Sequence, residues 1–387
     1  MWISQIKKEE ADTMKDVREL NPFRLGFGLM RLPKNPDGTI DVPQVCEMAD
    51  RFIAAGGTYF DTAYVYDNGA SEAAFKAAVA DRYPRDAYTV CTKLNAAMQC
   101  TDEASAKQQF VTSLERTGAG YFDYYLLHAL QRSNIQKYND YHLWDYVAEQ
   151  KAKGLIRHYG FSFHADPDLL EQLLEEHPEV EFVQLQINYA DWENPGVASR
   201  RNYEICQAHG KPVVIMEPVK GGILANPIPE VERVLKEADS EASCASWALR
   251  FAAGLDNILA VLSGMSNLAQ MDDNLHHMTP FKPLNSDEMQ VIANAQKAMD
   301  SAKAIPCTSC HYCTHGCPMG IPIPEIFTVY NRMEGSPHFR TVREYTIVTT
   351  DKGKAIDCVE CGQCEGVCPQ HLPIISLLKK CRETMEK

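Results

Sequence analysis

Near its C-terminus the chain repeats one cysteine pattern. Cys307-x2-Cys310-x2-Cys313-x3-Cys317-Pro318 is followed, after about 40 residues, by Cys358-x2-Cys361-x2-Cys364-x3-Cys368-Pro369. Eight of the fourteen cysteines are spent here, and clustered thiols in a reducing compartment point to metal rather than disulfides. Three closely spaced thiolates can wrap three irons of a cubane from one loop, while the fourth, before proline, lies too far round that loop and reaches the other cluster. The spacing therefore assigns Cys307, Cys310, Cys313 and Cys368 to one [4Fe–4S] cluster, and Cys358, Cys361, Cys364 and Cys317 to a second. Tetrahedral zinc would need sets of four ligands, not triplets each followed by Cys-Pro. The other six cysteines (Cys46, Cys91, Cys100, Cys206, Cys244 and Cys381) are scattered and read as buried or idle thiols.

The rest of the chain has a different texture. Short apolar, β-rich runs at 24–30, 58–62, 88–93, 122–128, 157–163, 182–188, 213–217 and 258–264 alternate with helix-like stretches. Strands that are apolar nearly throughout, each followed by a helix, imply a parallel sheet buried on both faces. Eight such units in roughly 250 residues match a (β/α)8 TIM barrel. An open doubly wound sheet is the competitor, and no G-x-G-x-x-G turn follows the first strand to support it. Asp166 before Pro167 reads as a helix N-cap, and Gly254 as a helix C-terminus. Pro280 and Pro283 mark a boundary, which divides the chain into 1–282 and 283–387. Asn285 with Glu288 caps a helix predicted to run towards Ala304. Beyond it the fold class expected is a small, mainly α-helical iron–sulfur domain.

A formal net charge of −14 argues against nucleic acid or an anionic membrane as a partner. The N-terminus lacks the apolar core of a signal peptide, and no run approaches the ~18 apolar residues of a membrane span. The expectation is a cytoplasmic protein.

Four polar residues fall at the C-terminal ends of predicted strands two to four: Asp61, Tyr66, Lys93 and His128. In a (β/α)8 barrel these ends open onto one face, where catalytic groups sit. In order and spacing the four resemble the Asp, Tyr, Lys and His tetrad of the aldo/keto reductase family, and Asp61-Thr62-Ala63, Tyr66 and Ser71-Glu72 are similar to that family's early signature. The resemblance covers roughly residues 20–280, and the cysteines make its iron–sulfur-containing branch the nearer match. The two runs have the bacterial ferredoxin spacing, and their separation resembles helical ferredoxin domains of multi-subunit dehydrogenases. The family implies carbonyl reduction or alcohol oxidation. Tyr66 would supply the proton, Lys93 would lower its pKa, Asp61 would hold Lys93, and His128 would orient the substrate oxygen. Tyr138, Tyr141, Trp144 and Trp192 are aromatic candidates for the substrate pocket.

The same resemblance implies a nicotinamide cofactor, NADH or NADPH. Ser162 and Gln186 match carboxamide contacts, although Phe163 replaces the family's Asn. Met216 stands where an aromatic usually stacks on the nicotinamide. The segment from Gly264 to Asn274 is similar to the adenosine-phosphate stretch, with Asp273 and Asn274 matching its Glu-Asn pair. Gly264 and Gln270 occupy the positions of its Lys and Arg, which weakens selectivity for a 2′-phosphate. Lys220, beside Gly221-Gly222, would meet the pyrophosphate. The expected function is an oxidoreductase that interconverts a small carbonyl and an alcohol, with the clusters passing electrons to a redox partner protein. Two alternatives stay open at this level: a non-enzymatic electron carrier or redox sensor on a barrel scaffold, and a reductase whose clusters are only structural.

Overall fold

The computed structural model describes residues 21, 23–300, 305–331 and 338–386. Eight parallel strands close into a barrel in sequence order: β1 (Leu25–Gly28), β2 (Tyr59–Asp61), β3 (Thr89–Leu94), β4 (Phe122–Leu130), β5 (Ile156–Phe163), β6 (Phe182–Gln186), β7 (Val213–Met216) and β8 (Ile258–Ser263). Each coincides with one of the eight expected runs. β4 continues two residues past His128, and its register against β5 shifts between Leu127 and Leu130, where Ala129 takes a φ of 57°. This is a bulge, the usual device for re-aiming a side chain at a barrel rim.

Alternation along the strands decides what faces the axis. Tyr59, Cys91, Tyr124, Leu126, Phe182, Val214, Leu259, Ala260 and Leu262 form one inward cluster, with the Tyr59 and Tyr124 rings 4.9 Å apart. The barrel's interior is thus filled by side chains. Two residues further along the same strands, the inward positions become Asp61, Lys93, His128, Gln184 and Met216, so the polar set begins where the packed layers end. The outward residues join the helices in a second, larger core.

The capping signals act as their chemistry suggests. Asp166 accepts from the Leu169 N–H at 3.2 Å ahead of the helix Pro167–Glu176. The helix Cys244–Ala253 stops at Gly254. Asn285 accepts from Glu288 N–H at 3.0 Å while Glu288 accepts from Asn285 N–H at 2.8 Å, the reciprocal pair of a capping box. The helix they cap is Ser286–Asp300, and the rest of its expected course to Ala304 lies outside the described residues. It packs on the barrel: Ile292 and Ala295 are buried in the barrel's core, and Gln296 donates to Tyr189 O at 2.6 Å.

The cysteine segment has a separate core, built from Ile321, Ile323, Ile326, Phe327, Ile374 and Leu378 with Cys313, Cys364 and Cys368. It is helical, with Ile323–Asn331, His338–Val348 and Ile374–Met385 as its main elements. The two cysteine runs share one local backbone. Ser309 and His311 have φ of 53° and 63°, and Glu360 and Gly362, at the matching positions, have 57° and 77°. Each run then makes a single helical turn, Tyr312–His315 or Gln363–Gly366. Among the described residues no helix is long and apolar enough to cross a membrane.

Candidate active site and cluster cradles

Asp61 ends β2 and Lys93 lies near the end of β3, and both are buried. Lys93 Nζ donates to Asp61 Oδ1 and to Thr62 O, both at 2.6 Å. The Ser71-Glu72 signature braces this pair from behind. Ser71 Oγ bonds Leu29 O at 2.9 Å and the Thr62 hydroxyl at 2.8 Å, and Glu72 accepts from Thr92 Oγ1 at 2.7 Å. Tyr66 lies across the mouth, its ring centroid 5.1 Å from Lys93 Nζ and 5.7 Å from the His128 ring.

The electrostatics differ from expectation at Tyr66. Burial holds its phenol well above the usual range, with the Asp61 and Cys91 charges adding to the effect. The upward shift holds although Lys93 Nζ, bonded to Asp61 and Thr62 O, stands 5.1 Å from the ring. Burial also pushes the Asp61 carboxyl up, against the pull of Lys93. His128 is held well below the imidazole range, first by burial and then by Lys93 and His164. The pocket therefore presents a neutral phenol and a neutral imidazole beside one buried ion pair. His128 Nδ1 and His164 Nδ1 are buried polar atoms without a partner.

Asp61, Tyr66, His128, Met216 and Gly264 line one cavity of about 80 Å³. Its wall also includes Arg31, His164, Gln184 and Glu217 from the barrel and Tyr312 from the cysteine segment, which the sequence did not single out, together with Cys310 and Pro369 of the two cysteine motifs. The cysteine segment thus closes the barrel mouth. Arg31 Nη2 donates to Thr308 O at 2.9 Å, and Ser133 Oγ to Gly366 O at 3.2 Å. Gly221, at φ +63°, sits so close that a Cβ would lie 2.6 Å from Thr308 O. Only glycine satisfies both the conformation and the contact.

Five expected cofactor residues are turned to other uses. Ser162 Oγ accepts from the Ala129 N–H of the β4 bulge at 2.7 Å. Gln186 pairs with Gln370 of the cysteine segment. Asp273 accepts from the Ser243 hydroxyl at 2.7 Å, and Asn274 donates to Ser263 Oγ at 2.6 Å. Lys220 is buried on Asp191 and Gln370. The aromatic candidates for a substrate pocket lie elsewhere: Tyr138 and Trp144 are buried in the outer core, Tyr141 packs against it, and Trp192 packs on Tyr203 and Phe251. As arranged, these groups do not fit a nicotinamide dinucleotide.

The cysteines converge in two groups. Cys307, Cys310, Cys313 and Cys368 line one small cavity, with Phe327, Leu372 and Ile374. Cys317, Cys358, Cys361 and Cys364 line another, with Met319, Ile321 and Leu378. All eight are unpaired thiols, and each group draws its fourth member from the opposite run. Burial pushes Cys310 up to about 12 and Cys364 up to about 11, so bare thiolates are unfavourable and need a cation to hold them. Burial raises the Cys368 thiol too, and the backbone N–H groups of Leu372, Gln370 and His371 offset part of that rise. Among the described residues no three His, Cys, Asp or Glu stand so as to hold a single metal ion, whereas the two open rings suit a larger group. The donor set is all sulfur in an apolar shell, which fits an iron–sulfur cluster.

A closed parallel barrel with a buried Lys–Asp pair beside a tyrosine and a histidine, followed by eight cysteines in two crossed groups, defines an oxidoreductase joined to a dicluster segment. The aldo/keto reductase family model matches residues 24–297, and a 4Fe-4S dicluster domain model matches residues 306–372. The chain belongs to the aldo/keto reductase family. Its fold is similar to that of an aldo-keto reductase, AKR11C1, from Bacillus halodurans in its holo form, with a TM-score of 0.57, 25% identity, and coverage of 71% of this chain and 92% of that one. An aldo/keto reductase from Klebsiella pneumoniae, solved with NADP and acetate, shares the fold with a TM-score of 0.57, 19% identity, and coverage of 70% and 91%. One component of the ion-translocating oxidoreductase complex of Buchnera aphidicola is 27% identical over 118 residues, which are 30% of this chain and 22% of that protein. The match therefore spans about a fifth of that relative's length.

Proposed function

We propose that the barrel reduces a small carbonyl compound to an alcohol, and that the cysteine segment carries two [4Fe–4S] clusters, ligated in the crossed groups above, that exchange electrons with a redox partner protein. The observation that supports this reading is the cavity in which Tyr66 and His128 meet Cys310. When bound, the clusters supply one-electron transfer. Reduction of a carbonyl takes two electrons, which reduced clusters would supply one at a time, and two protons, one to the oxygen from Tyr66 and one to the carbon from solvent that enters the cavity. Tyr66 gives one proton to the forming alkoxide, for which a protonated phenol is the correct starting state. Burial keeps the phenol protonated, as donation to the alkoxide requires. Neutral His128 holds the substrate oxygen, and the Lys93–Asp61 pair offers a fixed positive end near the developing negative charge. Substrate approaches through a cavity of about 550 Å³ between the barrel loops and the cysteine segment, whose wall shares Tyr312 with the tetrad's cavity. The chain then divides into a barrel unit and a cluster unit, with the Ser286–Asp300 helix on the barrel's side.

The test is anaerobic reduction of the protein with dithionite, followed by addition of small aldehydes and ketones one at a time. A carbonyl that reoxidises the cluster absorption, one molecule for each two electrons, in wild type but not in Tyr66→Phe supports the reading. Reoxidation equal in both proteins, or by no carbonyl, overturns it.

A further inference from the structure

We infer that Gln370 of the cluster segment occupies the place on the barrel where a nicotinamide carboxamide would be held, and competes with the dinucleotide for it. The inference rests on reading Gln186 as a carboxamide contact, and not on the reaction proposed above.

Gln186 ends β6 and points into the mouth. Its side-chain amide donates to Gln370 Oε1 at 3.1 Å and accepts from Gln370 Nε2 at 3.0 Å. This two-way pairing is what one primary carboxamide offers another, and the glutamine side chain and the nicotinamide substituent are both primary carboxamides. Gln186 and Gln370 are only 4% and 8% exposed, so the pairing is made out of water. Gln370 Oε1 also accepts from Lys220 Nζ at 3.0 Å. Lys220 is itself neutralised by Asp191, which accepts from Gln186 Nε2 at 2.9 Å and Asn188 Nδ2 at 2.8 Å. The amide is therefore seated in a polar network that leaves neither Gln186 nor Lys220 free for a second ligand.

The other departures point the same way. Phe163 brings no amide, the Ser162 hydroxyl accepts the bulge's N–H, and the tetrad's cavity alone is about 80 Å³. Ligand pockets run to roughly 300–1,000 Å³, so that cavity by itself is too small for a nicotinamide dinucleotide. Gln370 is also held from behind. It follows Cys368-Pro369, so ligation of a cluster by Cys368 would fix the loop that carries the amide.

The experiment is equilibrium dialysis of NADH and of NADPH against anaerobically purified, cluster-loaded protein. Gln370→Ala should bind at least one of them ten or more times more tightly than wild type, with the cluster absorption unchanged. Gly221→Ala, which forces Thr308 off the barrel loop, should shift binding in the same direction. If Gln370→Ala loses its clusters, Gly221→Ala carries the test with the same two outcomes. Equal affinity in wild type and variants overturns the inference, and so does failure of all of them to bind, because Gln370 would then not be what excludes the dinucleotide. The readout is binding, so a failed carbonyl assay does not bear on it.

Discussion

Replacing Lys93 with Met probes the charge balance of the site with little change in shape. The side chain is fully buried, and Met keeps an unbranched chain of similar volume, so lost packing is minor. What disappears is the partner of Asp61 and of Thr62 O, each bonded at 2.6 Å. Removing one member of a buried pair costs about 3–5 kcal/mol. That cost has a definite pH dependence. Burial already raises the Asp61 carboxyl, and Lys93 is the strongest influence lowering it, so its folded pKa rises further in the variant. The unfolded value is about 3.9. A raised folded pKa favours the protonated fold, a contribution fully present below pH ~3.9 and lost as pH rises through the folded pKa, at about 1.4 kcal/mol per pH unit. The variant should therefore be destabilised more at pH 8 than at pH 5.5. Anaerobic urea unfolding followed by tryptophan fluorescence measures this, since Trp144, Trp192 and Trp247 all lie in the barrel. Lys93→Met combined with Asp61→Leu should recover most of the loss at pH 8. An equal penalty at both pH values, or less than about 1 kcal/mol at each, would refute the reasoning.

Tyr66→Phe should lower kcat for carbonyl reduction by roughly 10²–10⁴ while the cluster spectrum is unchanged, and a variant keeping most of its kcat would show that another group donates the proton. Anaerobically purified protein should hold about eight irons and eight acid-labile sulfides per chain. Cys368→Ala should fall to about four irons, whereas Cys381→Ala, whose thiol is buried away from both rings, should keep them all. In Gln370→Ala protein, NADPH should be preferred over NADH by no more than about tenfold, or ~1.4 kcal/mol. Gly264 and Gln270 bring no cation, and Arg31, whose Cβ lies near Gly264, is tied to Thr308 O and Glu217. A hundredfold preference measured by dialysis would show a phosphate pocket built from other residues.

The strands were legible because a parallel sheet buried on both faces leaves an apolar run in the sequence at each crossing. The residues at their C-terminal ends were legible for a related reason: Asp61, Lys93 and His128 sit one inward step past Tyr59, Cys91 and Leu126. The caps at Asp166, Gly254 and Asn285 are local, and local chemistry survives in sequence. Burial does not. Tyr66 beside Lys93 suggested a lowered phenol pKa, but the burial that raises it instead depends on a pocket only the folded barrel creates. The boundary at Pro280 and Pro283 marks a real break in texture, yet the helix after it packs backward onto the barrel through Ile292 and Ala295. Tyr312 and Gln370 could have drawn notice, since each stands within or just after a cysteine run whose loop geometry was already implied. No spacing rule, however, reports that Gln370 meets Gln186 across 184 residues.

That contact gives the departures around the mouth a common origin. Taken singly, Phe163 for Asn, Gly264 and Gln270 for two cations, and a Lys220 consumed by Asp191 are unrelated losses. Under the proposed docking they are related, because each removes a grip on a dinucleotide that Gln370 already displaces, while the tetrad that acts on substrate keeps all four members. A hydride carries two electrons together, and a cluster passes one at a time, so a barrel fed by both would need a group to convert between them. With the carboxamide place filled from within, no hydride donor sits at the mouth, and the two electrons a carbonyl needs would arrive singly. Cys310 then lines both the cavity of Tyr66 and His128 and the first ring of cysteines, which brings the two sites to one shared wall.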